Sequence, residues 1–103
     1  METMVKTTAT FGEFINWWWT CGELTSGESI DENIDKIMEA IKSTDFLFKD
    51  DECITDMDFI KSLILENKDV EIELECENED YPIIYFTINN VRYYTQTCEQ
   101  FTK

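Results

Sequence analysis

Between Val70 and Cys76 apolar and acidic residues alternate without a break, and acids continue at every second position through Glu71, Glu73, Glu75, Glu77 and Glu79. A period of two fits a strand with one buried face, because successive strand side chains point to opposite sides of a sheet. The pattern predicts Val70, Ile72, Leu74 and Cys76 against a core, with the glutamates lined along the other face. At a rise of about 3.3 Å per residue, neighbouring glutamates stand about 6.6 Å apart. Two unit charges at that distance in water repel by about 0.6 kcal/mol. Glutamate is also a poor strand former. A solvated sheet face, or an edge strand protected against pairing with other chains, would account for the alternation. It would not account for the uniform sign, since mixed signs are the usual soluble choice.

The chain has 103 residues, which predicts one domain over 1–103. With 43% hydrophobic and 14% aromatic residues, three Gly and one Pro, the composition is that of a folded protein and not of an acidic tail. The 23 acids against 8 bases give a net charge of −15, and Glu66 to Asp80 alone carries a net −7. Such a field repels nucleic acid and anionic membranes and attracts basic surfaces at long range. The expected partner is a basic protein, with no direct nucleic-acid or membrane contact. Met1 to Thr10 is polar, unlike a signal peptide, and no run approaches the roughly 18 apolar residues of a membrane span, so the expected location is the cytoplasm. Cys21, Cys53, Cys76 and Cys98 are widely separated and read as reduced, mostly buried thiols, with one or two disulfides as the alternative.

Three helix starts are legible. Thr10 to Glu13 has the form of a capping box, after which Phe11, Phe14, Ile15 and Trp18 share a narrow arc; Cys21-Gly22 supplies a stop. Trp17 lies off that arc, and is expected under another element or, alternatively, as an exposed anchor for a partner. Ser29 to Glu32 is a second capping box, followed by Ile30, Ile34, Ile37, Met38 and Ile41 at helical spacing. The acids crowding its first turns complement the helix dipole. Asp50-Asp51-Glu52 lacks the register of a calcium loop. Thr55 is the expected third cap, with Ile54 and Phe59 as a hydrophobic staple and Phe59, Ile60, Leu63 and Ile64 as the buried face.

From Val70 the period is that of strands: the glutamate comb, then Tyr81 to Ile88, then Val91 to Cys98 after the turn Asn89-Asn90. The expected fold is α+β, three helices over about 10–68 followed by a C-terminal three-stranded antiparallel meander over about 70–101. In that order the comb is an edge strand. Ile84, Phe86 and Ile88 are expected inward, leaving Tyr85, with Tyr93 or Tyr94, on the outer face beside the glutamates.

The absence of histidine excludes Ser-His and Cys-His nucleophiles, and no glycine-rich phosphate loop is present. The expectation is a non-enzyme without cofactor or metal. The candidate partner-binding residues are Glu71, Glu73, Glu75, Glu77, Glu79, Asp80 and Tyr85.

In size, acidity and helix-plus-meander plan the chain resembles the small phage-borne inhibitors of host defence, including anti-CRISPR proteins and restriction or glycosylase inhibitors. Seven lysines against the single Arg92, with abundant Ile and Asn, fit coding in an AT-rich genome. The resemblance implies a monomeric acidic inhibitor, in the bacterial host cytosol, that mimics nucleic acid and blocks the basic groove of a defence nuclease such as a CRISPR effector with its guide RNA. An immunity-type inhibitor of a basic toxin enzyme and a non-catalytic scaffold domain are the alternatives.

Overall fold

The computed structural model describes residues 4–19, 30–77 and 82–96. Strand β1 (Met4–Thr10) runs directly into helix α1 (Phe11–Trp19); α2 (Ile30–Lys42) follows, then the short strands β2 (Phe48–Lys49) and β3 (Glu52–Cys53). Helix α3 (Met57–Asn67) leads into β4 (Glu71–Glu77), β5 (Ile83–Ile88) and β6 (Val91–Gln96). The six strands form one antiparallel sheet in the order β1-β4-β5-β6-β2-β3.

This order overturns the expected plan of three helices followed by a three-stranded meander. The comb, β4, is an interior strand, because the N-terminal segment pairs with it along its whole length, from Met4↔Glu77 to Thr10↔Glu71. Val5, Thr7, Thr8 and Thr10 are β-branched, and that stiffness suits a pleated strand even where hydrophobic alternation is faint. The second addition is the β2–β3 hairpin at the far edge. Its turn residues Asp50 and Asp51 take φ of 52° and 65°, the left-handed pair that a two-residue hairpin needs. Asn89 and Asn90, at φ 53° and 65°, make the same turn between β5 and β6.

The helices lie on one face of the sheet. Phe11 and Phe14 of α1 pack on Phe86 of β5, with ring centroids 5.5 and 5.4 Å apart. Ile72, Leu74 and Cys76 of β4, Ile84, Phe86 and Ile88 of β5, and Tyr93 of β6 are buried beneath the helices. Trp17 is 4% exposed and stacks on Phe14, which excludes its use as an anchor. Trp18, expected on the core arc, is half-buried against Phe46.

The start of α1 is braced in two ways. Glu13 N–H donates to Thr10 Oγ1 at 3.1 Å and Thr10 N–H to Glu13 Oε1 at 3.0 Å, the capping box read from sequence. Phe11 N–H donates to Val70 O and Gly12 N–H to Lys68 O, both at 2.9 Å, so carbonyls of the α3–β4 connection satisfy two orphan amides of the first turn. A Cβ on Gly12 would sit 2.8 Å from Lys68 O, so this approach requires glycine. Val70, occupied with the junction, is 44% exposed and does not join the inward row expected of it.

The cap of α3 is Asp56, not Thr55: its Oδ1 accepts from Phe59 N–H at 3.1 Å. With the cap at Asp56 the staple positions fall on Thr55 and Ile60 rather than Ile54 and Phe59; Phe59 is 41% exposed, and Asn67 replaces it on the buried face. The stop at Cys21-Gly22, Ser29 of the second capping box, Cys98, and the strand residue Tyr81 lie outside the described residues. Replacing Asp56 by Ala should lower stability by about 1 kcal/mol, while Thr55→Ala should change it by less than about 0.5 kcal/mol, as read by urea denaturation.

Candidate functional site

The outer face of the sheet, opposite the helices, has no described element packed on it. Along β4 it carries Glu71 and Glu73, both exposed, and Glu75 and Glu77, both half-buried. Glu79 and Asp80, the other acids expected in the site, lie outside the described residues.

The registers of all five strand pairs align one outward rung across the whole sheet. Lys6 is opposite Glu75, Glu75 opposite Tyr85, Tyr85 opposite Tyr94, Tyr94 opposite Phe48, and Phe48 opposite Cys53. At about 4.8 Å between strands, this rung spans about 24 Å. The row of glutamates runs along β4 and crosses it at Glu75. The face is therefore a charged column intersecting an aromatic row.

The aromatic part is a continuous ladder. Tyr85 and Tyr94 have centroids 5.8 Å apart, and Tyr94 and Phe48 lie 5.4 Å apart with planes 12° from parallel. Cross-strand aromatic pairs of this kind contribute about 0.5–1 kcal/mol each. Tyr85, expected on the outer face, is there; Tyr94 joins it, and Tyr93 is buried on the inner side. Phe48 is the residue of this ladder that sequence reasoning missed; Tyr94 was one of the two tyrosines expected on the face but was not among the candidate binding residues. The signal for Phe48 was the pair Asp50-Asp51 between Phe48 and Cys53, a hairpin turn in which both aspartates tolerate positive φ.

Two cations already engage the comb. Arg92 Nη2 is 3.5 Å from Glu75 Oε2 while its guanidinium carbon lies 4.7 Å from the centroid of Tyr85. Lys6 Nζ is 3.9 Å from Glu73 Oε1. Exposed pairs such as Lys6–Glu73 contribute at most about 1 kcal/mol. Glu77 has a structural task, since its Oε1 accepts from Ile83 N–H at 3.1 Å. The β1 residues opposite the comb are Met4, Lys6, Thr8 and Thr10, so no acid faces an acid across that ladder. Glu71 and Glu73 are the exposed acids of the column among the described residues.

The acids of α2 are used differently. Asp31 is bridged to Lys68, and Asp35 lies 3.7 Å from Lys61 of α3, so they tie two helices together on the other side of the molecule. Among the described residues no group of three or more Cys, Asp or Glu side chains is placed to hold a metal ion, and no helix is long and apolar enough to cross a membrane. Cys53 is a free thiol, and the buried Cys76 thiol donates to Glu77 O at 3.5 Å; Cys21 and Cys98 lie outside the described residues.

No protein-family model matches the chain, and no curated protein or solved structure shows significant similarity to it.

Tyr94 Oη donates to Asp51 Oδ1 at 3.4 Å. Partial burial, then the Asp51 carboxylate, push the Tyr94 phenol above its ordinary 10.0; burial alone does the same for Tyr93. Both phenols hold their protons more tightly folded than unfolded. Their contribution to stability is therefore full below about pH 10 and is lost as pH rises through the higher folded values. In a site-resolved NMR titration, Asp51→Asn should lower the Tyr94 midpoint and leave that of Tyr93 unchanged.

Proposed function

We propose that the outer face docks on a basic nucleic-acid-binding protein and occupies the surface which that protein offers to a phosphate backbone. The observation that carries this reading is the column of glutamates on a sheet face that no described element covers, with a repeat of about 6.6–6.8 Å set by the strand itself. Phosphates along a nucleic-acid strand present a comparable series of single negative charges, and basic grooves are built to receive such a series. Pairing with β1 along its whole length, and with β5 at Glu75 and Cys76, holds the column straight before any partner arrives, which reduces the ordering cost of binding. The action is inhibition by occupancy, without catalysis, metal or cofactor, by a cytosolic monomer.

The target class is a defence nuclease. RNA-guided effectors of the CRISPR type offer basic surfaces of this kind in their guide channel and in the region that reads the short motif beside the target. A second reading, an immunity-type inhibitor of a basic toxin enzyme, is favoured by the half-buried aromatic ladder, because aromatic anchors ringed by charge are a common form of interface hot spot.

Displacement of labelled DNA or guide RNA from a panel of basic nucleases separates the two readings. Glu71→Gln and Glu73→Gln should each weaken inhibition about fivefold, near 1 kcal/mol, and flatten its dependence on salt. If affinity survives both changes and only the association rate falls, the aromatic-anchored reading holds instead. Failure of the unaltered protein to displace either nucleic acid from any member at physiological salt contradicts the mimicry.

A further inference from the structure

The aromatic row holds an internal example of what its chemistry binds. Arg92 lays its guanidinium over Tyr85, 4.7 Å from the ring centroid, and turns an N–H edge toward Glu75 at 3.5 Å. A planar cation over a ring with a carboxylate at its edge is an arrangement that suits arginine and not lysine, whose ammonium has no plane to stack and no fork to present. The same components recur farther along the rung. Phe48 and Tyr94 form the next stacked pair, and Asp51 stands beside them, bonded to the Tyr94 hydroxyl. Asp50, Asp51 and Glu52 are all exposed at the neighbouring hairpin.

We propose that the Phe48–Tyr94 end of the rung, with Asp51, is a receptor for arginine side chains of the partner, and that Arg92 occupies the equivalent place at Tyr85 and Glu75 in the free protein. This rests on the reading of the outer face as the docking surface for a basic protein, and adds that the partner's cations there are guanidinium groups. Charge complementarity commits the face to such an occupant: its acids outnumber its cations, and the exposed edges of the ladder are ring surface rather than aliphatic surface. Arg92 fixes the geometry on its own side of the row. A partner arginine either stacks at the free end or displaces Arg92 from Glu75.

The test uses two fluorescent peptides of equal length and charge, one alternating glycine with arginine and one alternating glycine with lysine, titrated against the whole protein at physiological salt. The arginine peptide should bind about fivefold or more tightly than the lysine peptide. Phe48→Leu with Tyr94→Leu should bring the two within about twofold by weakening only the arginine peptide. Arg92→Ala should raise the ratio by freeing Tyr85 and Glu75. Glu71→Gln with Glu73→Gln should weaken both peptides alike, as the docking reading requires. Equal affinity of the unaltered protein for both peptides overturns the arginine receptor and leaves the docking reading standing. Binding of neither peptide overturns both. Sedimentation of the free protein as a dimer that Phe48→Leu dissolves also overturns the proposal, by giving the face to a second copy. Circular dichroism checks the fold of each variant, and the ratio in the unaltered protein decides the matter if a variant unfolds.

Discussion

Everything on the outer face depends on the pairing of β1 with β4. That pairing is held by more than its ladder. Where β1 turns into α1, the amides of Phe11 and Gly12 reach across to the carbonyls of Val70 and Lys68, the residues that lead into β4. The beginning of one unit is thereby bonded to the beginning of the other. Gly12 allows the contact because a side chain there would collide with the Lys68 carbonyl. The Thr10–Glu13 capping box fixes the angle at which the chain leaves the sheet. With this corner in place, a one-residue slip of β1 would turn Ala9 outward and Thr8 into the core, so the register is strongly specified.

Once the comb is interior, its charges acquire neighbours that make the strand tolerable. Lys6 approaches from one side and Arg92 from the other, while Thr8 and Thr10 lie opposite Glu73 and Glu71, and Met4 opposite Glu77, on β1. Repulsion along the column, about 0.6 kcal/mol per adjacent pair, is countered by these cations and by burial of Ile72, Leu74 and Cys76 on the reverse face. The same alignment places the aromatic ladder at right angles to the acids. A partner docking here meets a line of charge in one direction and ring surface in the other. That combination supports steering by long-range attraction followed by short-range selection for cations with a flat face.

The strongly periodic parts of this fold were legible in the sequence. The helical spacing of Ile30, Ile34, Ile37 and Ile41, the alternation in β4, the inward set of β5 and the Asn89-Asn90 turn all appear where periodicity or turn chemistry placed them. What was not legible has physical causes. β1 presents Val5, Thr7 and Ala9 to one side and Lys6, Thr8 and Thr10 to the other, a contrast in hydropathy too small to announce a strand. β2 and β3 are two residues each, shorter than any period can reveal. Missing these elements moved the comb to an edge it does not occupy. In the site itself, the row of glutamates and Tyr85 followed from strand alternation, but Phe48 reaches the aromatic ladder only through pairing of distant segments. Thr55 and Asp56 both fit a helix cap by type, and the choice between them depends on where the preceding chain is held: Ile54 N–H is bonded to Leu47 O at 2.8 Å.

The function proposed for this face requires the acid column to be a rigid, central feature rather than a frayed margin. Amide hydrogen exchange along β4, read residue by residue by NMR, tests that requirement most directly. Pairing with β1 along the whole strand should protect every amide of β4 directed at β1, with cross-strand contacts from Lys6 to Glu75, and pairing with β5 should add protection on the other side at Glu75 and Cys76. Free exchange of the amides directed at β1, with no contact from Lys6 to Glu75, would mean that the comb is an edge strand and would contradict the account.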